Sequence, residues 1–191
     1  MKTNKWLVFL ALGLLILASC SNDDDNPTPV NEEEVITTLI ITLSPDAGGA
    51  NTTIESRDLD GDGPNEPEII INGNILANTT YNCSIELLNE TETPAENITE
   101  EVEEEANEHQ FFYGLTDELG TITYADEDSE GNPVGLLFIW ETTDAANGSL
   151  TVTLRHEPNK DAEGVSDGVI TNAGGETDIT QTFTITVENI L

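Results

Sequence analysis

Only two histidines occur in this 191-residue chain, and both stand beside glutamates. Imidazole nitrogens with carboxylate oxygens form a donor set suited to Zn²⁺ and, less selectively, to Cu²⁺ or Ni²⁺. The chemistry depends on whether the chain brings them together. His109 closes the run ITEEVEEEANEH (98–109). Asn97 or Thr99 can cap a helix there, with Glu100 at the capping-box distance from Asn97. Glutamates in the first turn complement the helix dipole. Measured from Val102 at 100° per residue, Ala106 falls at about 40°, His109 at about −20° and Glu105 near −60°. His109 therefore lies on the apolar stripe, and Glu105 precedes it by one turn; residues at i and i+4 can grip one ion.

His156 closes SLTVTLRH (149–156). Alternation along a strand puts Leu150, Val152, Leu154 and His156 on one face, opposite Thr151, Thr153, Arg155 and, beyond the stretch, Glu157. If the helix covers the end of the sheet, His109, His156 and Glu105 converge, and Glu101, Glu108 or Glu157 completes the shell. Zn²⁺ is the expected ion. The competing reading makes each histidine an ordinary packed residue. Side chains more than about 10 Å apart cannot share an ion whose Zn–N bonds are about 2 Å.

A second cation motif is SRDLDGDGPNEPE (56–68). Asp58, Asp60, Asp62 and Gly63 match the opening of an EF-hand-like loop, but Ile69 stands where its bidentate acid belongs, and strands rather than helices flank it. It is read as a hairpin connection that is at most a weak calcium loop. Between His156 and Asp178 runs a loop of about 20 residues, a length that often carries binding. Glu157, Asp161, Glu163, Asp167, Glu176 and Asp178 make it acidic. No GxSxG elbow, HExxH or phosphate-binding loop is present, so the protein is expected not to be an enzyme.

The elements that must position these residues read mainly as strands. VITTLIITL (35–43) alternates Val35, Thr37, Leu39, Ile41 and Leu43 on one face. NTTIES, PEIIIN, TYNCSIELL, TITYA, PVGLLFIWET, SLTVTLRH and DITQTFTITVENI follow, separated by Gly-, Asn- and Asp-rich turns. About eight or nine strands with one short helix near 98–109 predict an antiparallel β-sandwich. ILANTTYNCSI (75–85) resembles the tyrosine corner of immunoglobulin and fibronectin III-like domains, which implies that Tyr81 hydrogen-bonds back across the corner. Cys83, alternating inward with Tyr81, Ile85 and Leu87, is then a buried thiol rather than a nucleophile.

The N-terminal MKTNKWLVFLALGLLILASC has two lysines, an apolar run shorter than the roughly 20 residues of a membrane span, and a cysteine. Leu17-Ala18-Ser19-Cys20 resembles the bacterial lipobox, implying a signal peptide over 1–19 and lipidation of Cys20. An acidic tether (20–34) precedes the sandwich domain (35–191). Its Ser-Asn-Asp-Asp-Asp start resembles the export signal of Bacteroidota surface lipoproteins, implying the outer membrane and its outer face; a periplasmic-facing anchor is the alternative. Loss of Lys2 and Lys5 with the signal takes the formal charge from −33 to −35. Nucleic acid and anionic lipid surfaces are repelled by such a chain.

NEEEVITT, ITEEVEEEANEHQFFY, LRHEPNK and NAGGETDI together resemble short acidic Bacteroidota lipoproteins that often carry the label type 1 periplasmic binding fold. That fold needs two α/β lobes with helices between parallel strands, which one helix cannot supply. The resemblance implies a TonB-dependent receptor as partner. The functional expectation is therefore a non-enzymatic outer-membrane lipoprotein that binds a divalent metal as accessory to uptake. The alternative is a structural or adhesive surface module with no specific ligand. Sugar stacking on Trp140 ranks behind both.

Overall fold

The computed structural model describes residues 34–61 and 63–189. Runs of β-branched and aromatic residues between Gly-, Asn- and Asp-rich turns form strands. In chain order these are β1 (Thr38–Pro45), β2 (Thr52–Arg57), β3 (Glu68–Asn72), β4 (Ile75–Leu76), β5 (Thr80–Asn89) and β6 (Glu96–Asn97). The helix α1 (Ile98–Glu104) follows, then β7 (His109–Leu115), β8 (Thr121–Tyr124), β9 (Leu137–Glu141), β10 (Ala146–His156) and β11 (Glu176–Glu188). One sheet runs β3-β2-β1-β5-β9-β8 with β6 beside β5, and the other runs β4-β11-β10-β7. The pairing is antiparallel apart from β4 against β11. No helix among the described residues is long and apolar enough to cross a membrane.

Both sheets contribute to one core. Leu39, Ile41 and Leu43 of β1 meet Leu150, Val152 and Leu154 of β10 and Phe183, Ile185 and Val187 of β11. This is the mainly-β, sandwich-like architecture that the alternation predicts. Burying each such side chain contributes roughly 1.5–3 kcal/mol. Tyr81 is buried, and its hydroxyl accepts from Leu76 N at 2.8 Å, closing the tyrosine corner. Trp140 is fully buried and donates from Nε1 to Leu119 O at 3.2 Å, so its ring offers no face for a sugar. Val35, expected on the inward face, is 55% exposed because β1 pairing begins only at Thr38.

The helix is shorter than expected, and this changes where His109 sits. Asn97 caps it by accepting from Thr99 N at 3.2 Å, and Asn97 Nδ2 donates to Glu100 Oε1 at 3.1 Å. Ile98 and Val102 are its buried residues, and the Thr99 hydroxyl ties it to β5 by accepting from Leu87 N at 2.8 Å and donating to Leu87 O at 3.3 Å. The helix ends at Glu104, and His109 opens β7 instead. Beyond Val102 only half-buried Ala106 continues the apolar stripe. GlnPhePheTyr, by contrast, has strong strand preference and a partner waiting in β10. Ladder pairing prevails over helical continuation.

The long acidic loop is folded rather than loose. Phe112, Val165 and Ala173 form a small second core, and Gln110 Nε2 donates to Val165 O at 2.8 Å. Lys160 is 6% exposed; its ammonium donates to Asp128 Oδ2 at 2.8 Å, Ala106 O at 2.7 Å and Pro133 O at 3.1 Å. One buried cation thus fastens the loop to the turn after α1 and to the segment before β9.

Candidate metal centre

In the β7–β10 ladder His109 and His156 are direct cross-strand partners. Opposed residues of an antiparallel pair project to the same face with Cβ atoms about 4.5–5.5 Å apart. The two rings accordingly lie with centroids 4.5 Å apart and planes at 60°. That is well within the span of one ion. They meet as neighbours in one sheet, however, and not across a helix–sheet junction.

Two carboxylates close around them. Glu34, just before β1, reaches over from the other sheet and places Oε1 3.6 Å from His109 Nε2. Asp178 arrives through a β-bulge. Leu154 pairs with Ile179 and Arg155 with Thr177, so Asp178 is an extra residue in β11. A bulge re-aims the local side chains, and here the Asp178 side chain is fully buried. Its Oδ2 lies 3.9 Å from His109 Nε2 and its Oδ1 4.0 Å from His156 Nδ1.

The hydrogen bonding leaves ligand atoms available. His109 Nδ1 lies 3.2 Å from the Glu105 carbonyl oxygen. When Nδ1 carries the proton and donates it there, Nε2 presents its lone pair towards Glu34. Metal-binding histidines are commonly oriented by this kind of carbonyl contact. His109 Nε2, His156 Nδ1 and Glu34 Oε2 are buried and make no hydrogen bond. Such groups are nearly always satisfied in folded proteins.

Burial keeps the His109 ring neutral and Glu34 reluctant to ionise. Burial is the main cause that lowers the His109 pKa to about 4, with the neighbouring His156 and Lys160 acting in the same direction. Burial likewise raises Glu34 to about 7, reinforced by Asp178, Glu101 and Glu105 and opposed by His156. A neutral imidazole is the form a metal needs. A cation beside Glu34 would favour its ionised form.

Glu34, His109 and His156 can each offer a ligand atom within 4.8 Å of the others, and so can Glu108, His156 and Glu157. These groups could hold a metal ion. Around a tetrahedral ion with bonds of about 2.1 Å the ligand atoms stand roughly 3.4 Å apart, so a small inward movement would complete the inner set. A groove of about 370 Å³, lined by Glu34, Ser56, Asp58, Asp178 and Gln181 among others, borders the inner set.

The expected ligands divide. Glu108 and Glu157 belong to the outer group. Glu105 contributes its carbonyl to His109, while its side chain is exposed and enters neither group; Glu101 enters neither group as well. Both carboxylates act on the cluster only at a distance, by raising the Glu34 pKa. Glu34 falls within the tether (20–34) by sequence, and only its place next to β1 hints at its role. Asp58 Oδ1 accepts from Asp60 N at 3.2 Å and Asp60 Oδ2 from Asn65 Nδ2 at 2.5 Å, contacts that stitch the hairpin loop itself. Among the described residues neither belongs to a metal-competent group. Asp62 and Cys20 lie outside the described residues.

Comparison with protein-family models, curated proteins and solved structures yields no match.

Proposed function

We propose that this protein is a lipid-anchored, non-enzymatic outer-membrane lipoprotein that captures a divalent transition-metal ion, Zn²⁺ before Cu²⁺ or Ni²⁺. The ion is held by Glu34, His109 and His156 and passed to a TonB-dependent receptor. One observation carries the reading: two buried imidazoles with unbonded nitrogens face a buried carboxylate. Two nitrogens and an oxygen suit Zn²⁺ at a site with an open coordination position. The lipobox around Cys20 supports the anchor, and a formal charge of −33 favours accumulation of cations near the surface.

The test is Zn²⁺ titration of the full chain in detergent against a competing chelator. His109→Ala and His156→Ala each lose most of the affinity, whereas Asp60→Ala retains it. Wild-type affinity in both histidine variants would refute the site. Cys20→Ala should abolish membrane retention; a processed variant that still partitions with membranes would refute the anchor.

The second reading is a structural or adhesive surface module. It is favoured by the raised Glu34 pKa, because a protonated carboxyl can donate a hydrogen bond within the cluster without any ion. Expression separates the two: induction under zinc chelation supports uptake, and constitutive expression supports the module.

A further inference from the structure

The two metal-competent groups share one ring, His156. Its nitrogens look in different directions. Nδ1 lies 4.0 Å from Asp178 Oδ1 on the buried side, and Nε2 lies 3.9 Å from Glu108 Oε2 on the outer side. The ring is 6% exposed, and its Nδ1 is buried and makes no hydrogen bond. Glu108 is 57% exposed. Glu157 stands next to it because Glu157 N donates to Glu108 O at 2.6 Å, continuing the β7–β10 ladder by one step. A nitrogen of an almost fully buried ring is thus turned toward two solvent-accessible carboxylates.

We propose that His156 bridges two cation positions, the inner one completed by Glu34 and His109 and the outer one by Glu108 and Glu157. This rests on the inner site proposed above and adds a second ion of the same class, a borderline divalent cation that accepts nitrogen and oxygen ligands. Neutral imidazole carries one lone pair and one N–H. An ion at Nδ1 leaves the proton on Nε2. When a second ion binds Nε2, that proton leaves to solvent and the ring becomes an imidazolate bridge. One proton is therefore released from His156 for each second ion bound. The outer position is flanked by exposed carboxylates, while the inner position is lined by the buried rings and borders the groove beside Glu34. The shared ring links the two.

The test uses the full chain in detergent, titrated with Zn²⁺ against a competing chelator and counted by native mass spectrometry. Two equivalents are expected for the wild type and one for the Glu108→Gln/Glu157→Gln double variant, whose substitutions are on exposed side chains. A wild type that takes a single equivalent, lost in His109→Ala but kept in the double variant, overturns the bridge and leaves the inner site standing. A single equivalent lost in the double variant but kept in His109→Ala overturns both. Copper provides a spectroscopic check. With two Cu²⁺ per chain, an imidazolate bridge couples the spins, so the electron paramagnetic signal stays well below twice that of one equivalent. A signal that doubles overturns the bridge.

Discussion

Replacing Glu34 with glutamine isolates one electrostatic strain in the metal-free protein. Glu34 rises from 4.5 to about 7 on folding, chiefly through burial. A folded pKa above the unfolded one means that the protonated form is favoured by folding. Its contribution is fully present below pH 4.5 and is lost as pH rises through about 7. A shift of this size corresponds to about 3 kcal/mol, and water in the adjoining groove screens part of it, so about 2 kcal/mol is expected. His109 acts in the opposite sense. Its pKa falls from 6.5 to about 4, so its contribution is present above 6.5 and is lost as pH falls through about 4. The two effects oppose each other across the same window. Urea unfolding of the metal-free wild type should therefore vary little between pH 4.5 and 7, while Glu34→Gln gains stability as pH rises. The gap between the two should widen by about 2 kcal/mol between pH 4.5 and 8. Zinc should then favour the wild type, by about 2.7 kcal/mol at a hundredfold excess over its Kd. A gap that stays constant with pH would refute the assignment of Glu34 to the buried cluster.

Two further outcomes follow from groups elsewhere in the fold. Lys160→Met should cost about 3 kcal/mol in urea unfolding, because it leaves Asp128 buried without its cation. Asp128→Asn in the same chain should recover part of that loss, and equal stability of single and double variants would count against the pairing. Burial raises Asp128 while Lys160 and the N–H groups of Asn132 and Glu130 pull it to a net lower pKa. The pair's contribution is accordingly present above the unfolded value of about 3.9 and fades as pH falls below it. Burial pushes the Cys83 thiol up to about 12. It should resist maleimide at pH 8 in the folded protein and react only in denaturant; rapid labelling of the native state would contradict its place in the core.

Much of the sandwich was legible because its strands alternate cleanly. Leu39, Ile41 and Leu43, or Leu150, Val152 and Leu154, declare a buried face by their spacing alone. The inward position of His156 followed from the same rule. His109 was placed on the inner face for the wrong reason, since a helical stripe and a strand both turned it inward. The GlnPhePheTyr stretch was the overlooked strand signal. Glu34 was hidden in an acidic run whose neighbours carry no periodicity. Nothing in the local sequence singles it out; its approach to His109 is a long-range contact. Asp178 was hidden by arithmetic, because strict alternation from Ile179 turns it outward and only the pairing with β10 reveals the extra residue. Glu105 stood at an ideal helical spacing from His109, but the helix stopped before that spacing could apply.

The bulge at Asp178 makes the site depend on the number of residues in β11 as much as on their identity. Deleting one residue between Thr177 and Ile179 would restore an unbroken ladder with Leu154 and Arg155 and leave no surplus position to turn a carboxylate inward. The histidines would remain, and so would every other acidic side chain in the chain. Conversely, one inserted residue in the edge region of an unrelated antiparallel sheet can introduce an inward carboxylate without altering the hydrophobic face on either side of it. Here acquisition or loss of a charged wall is a matter of a single codon's presence, so length variation at this position would alter the chemistry of the end of the sandwich while the packed layers beneath keep their register.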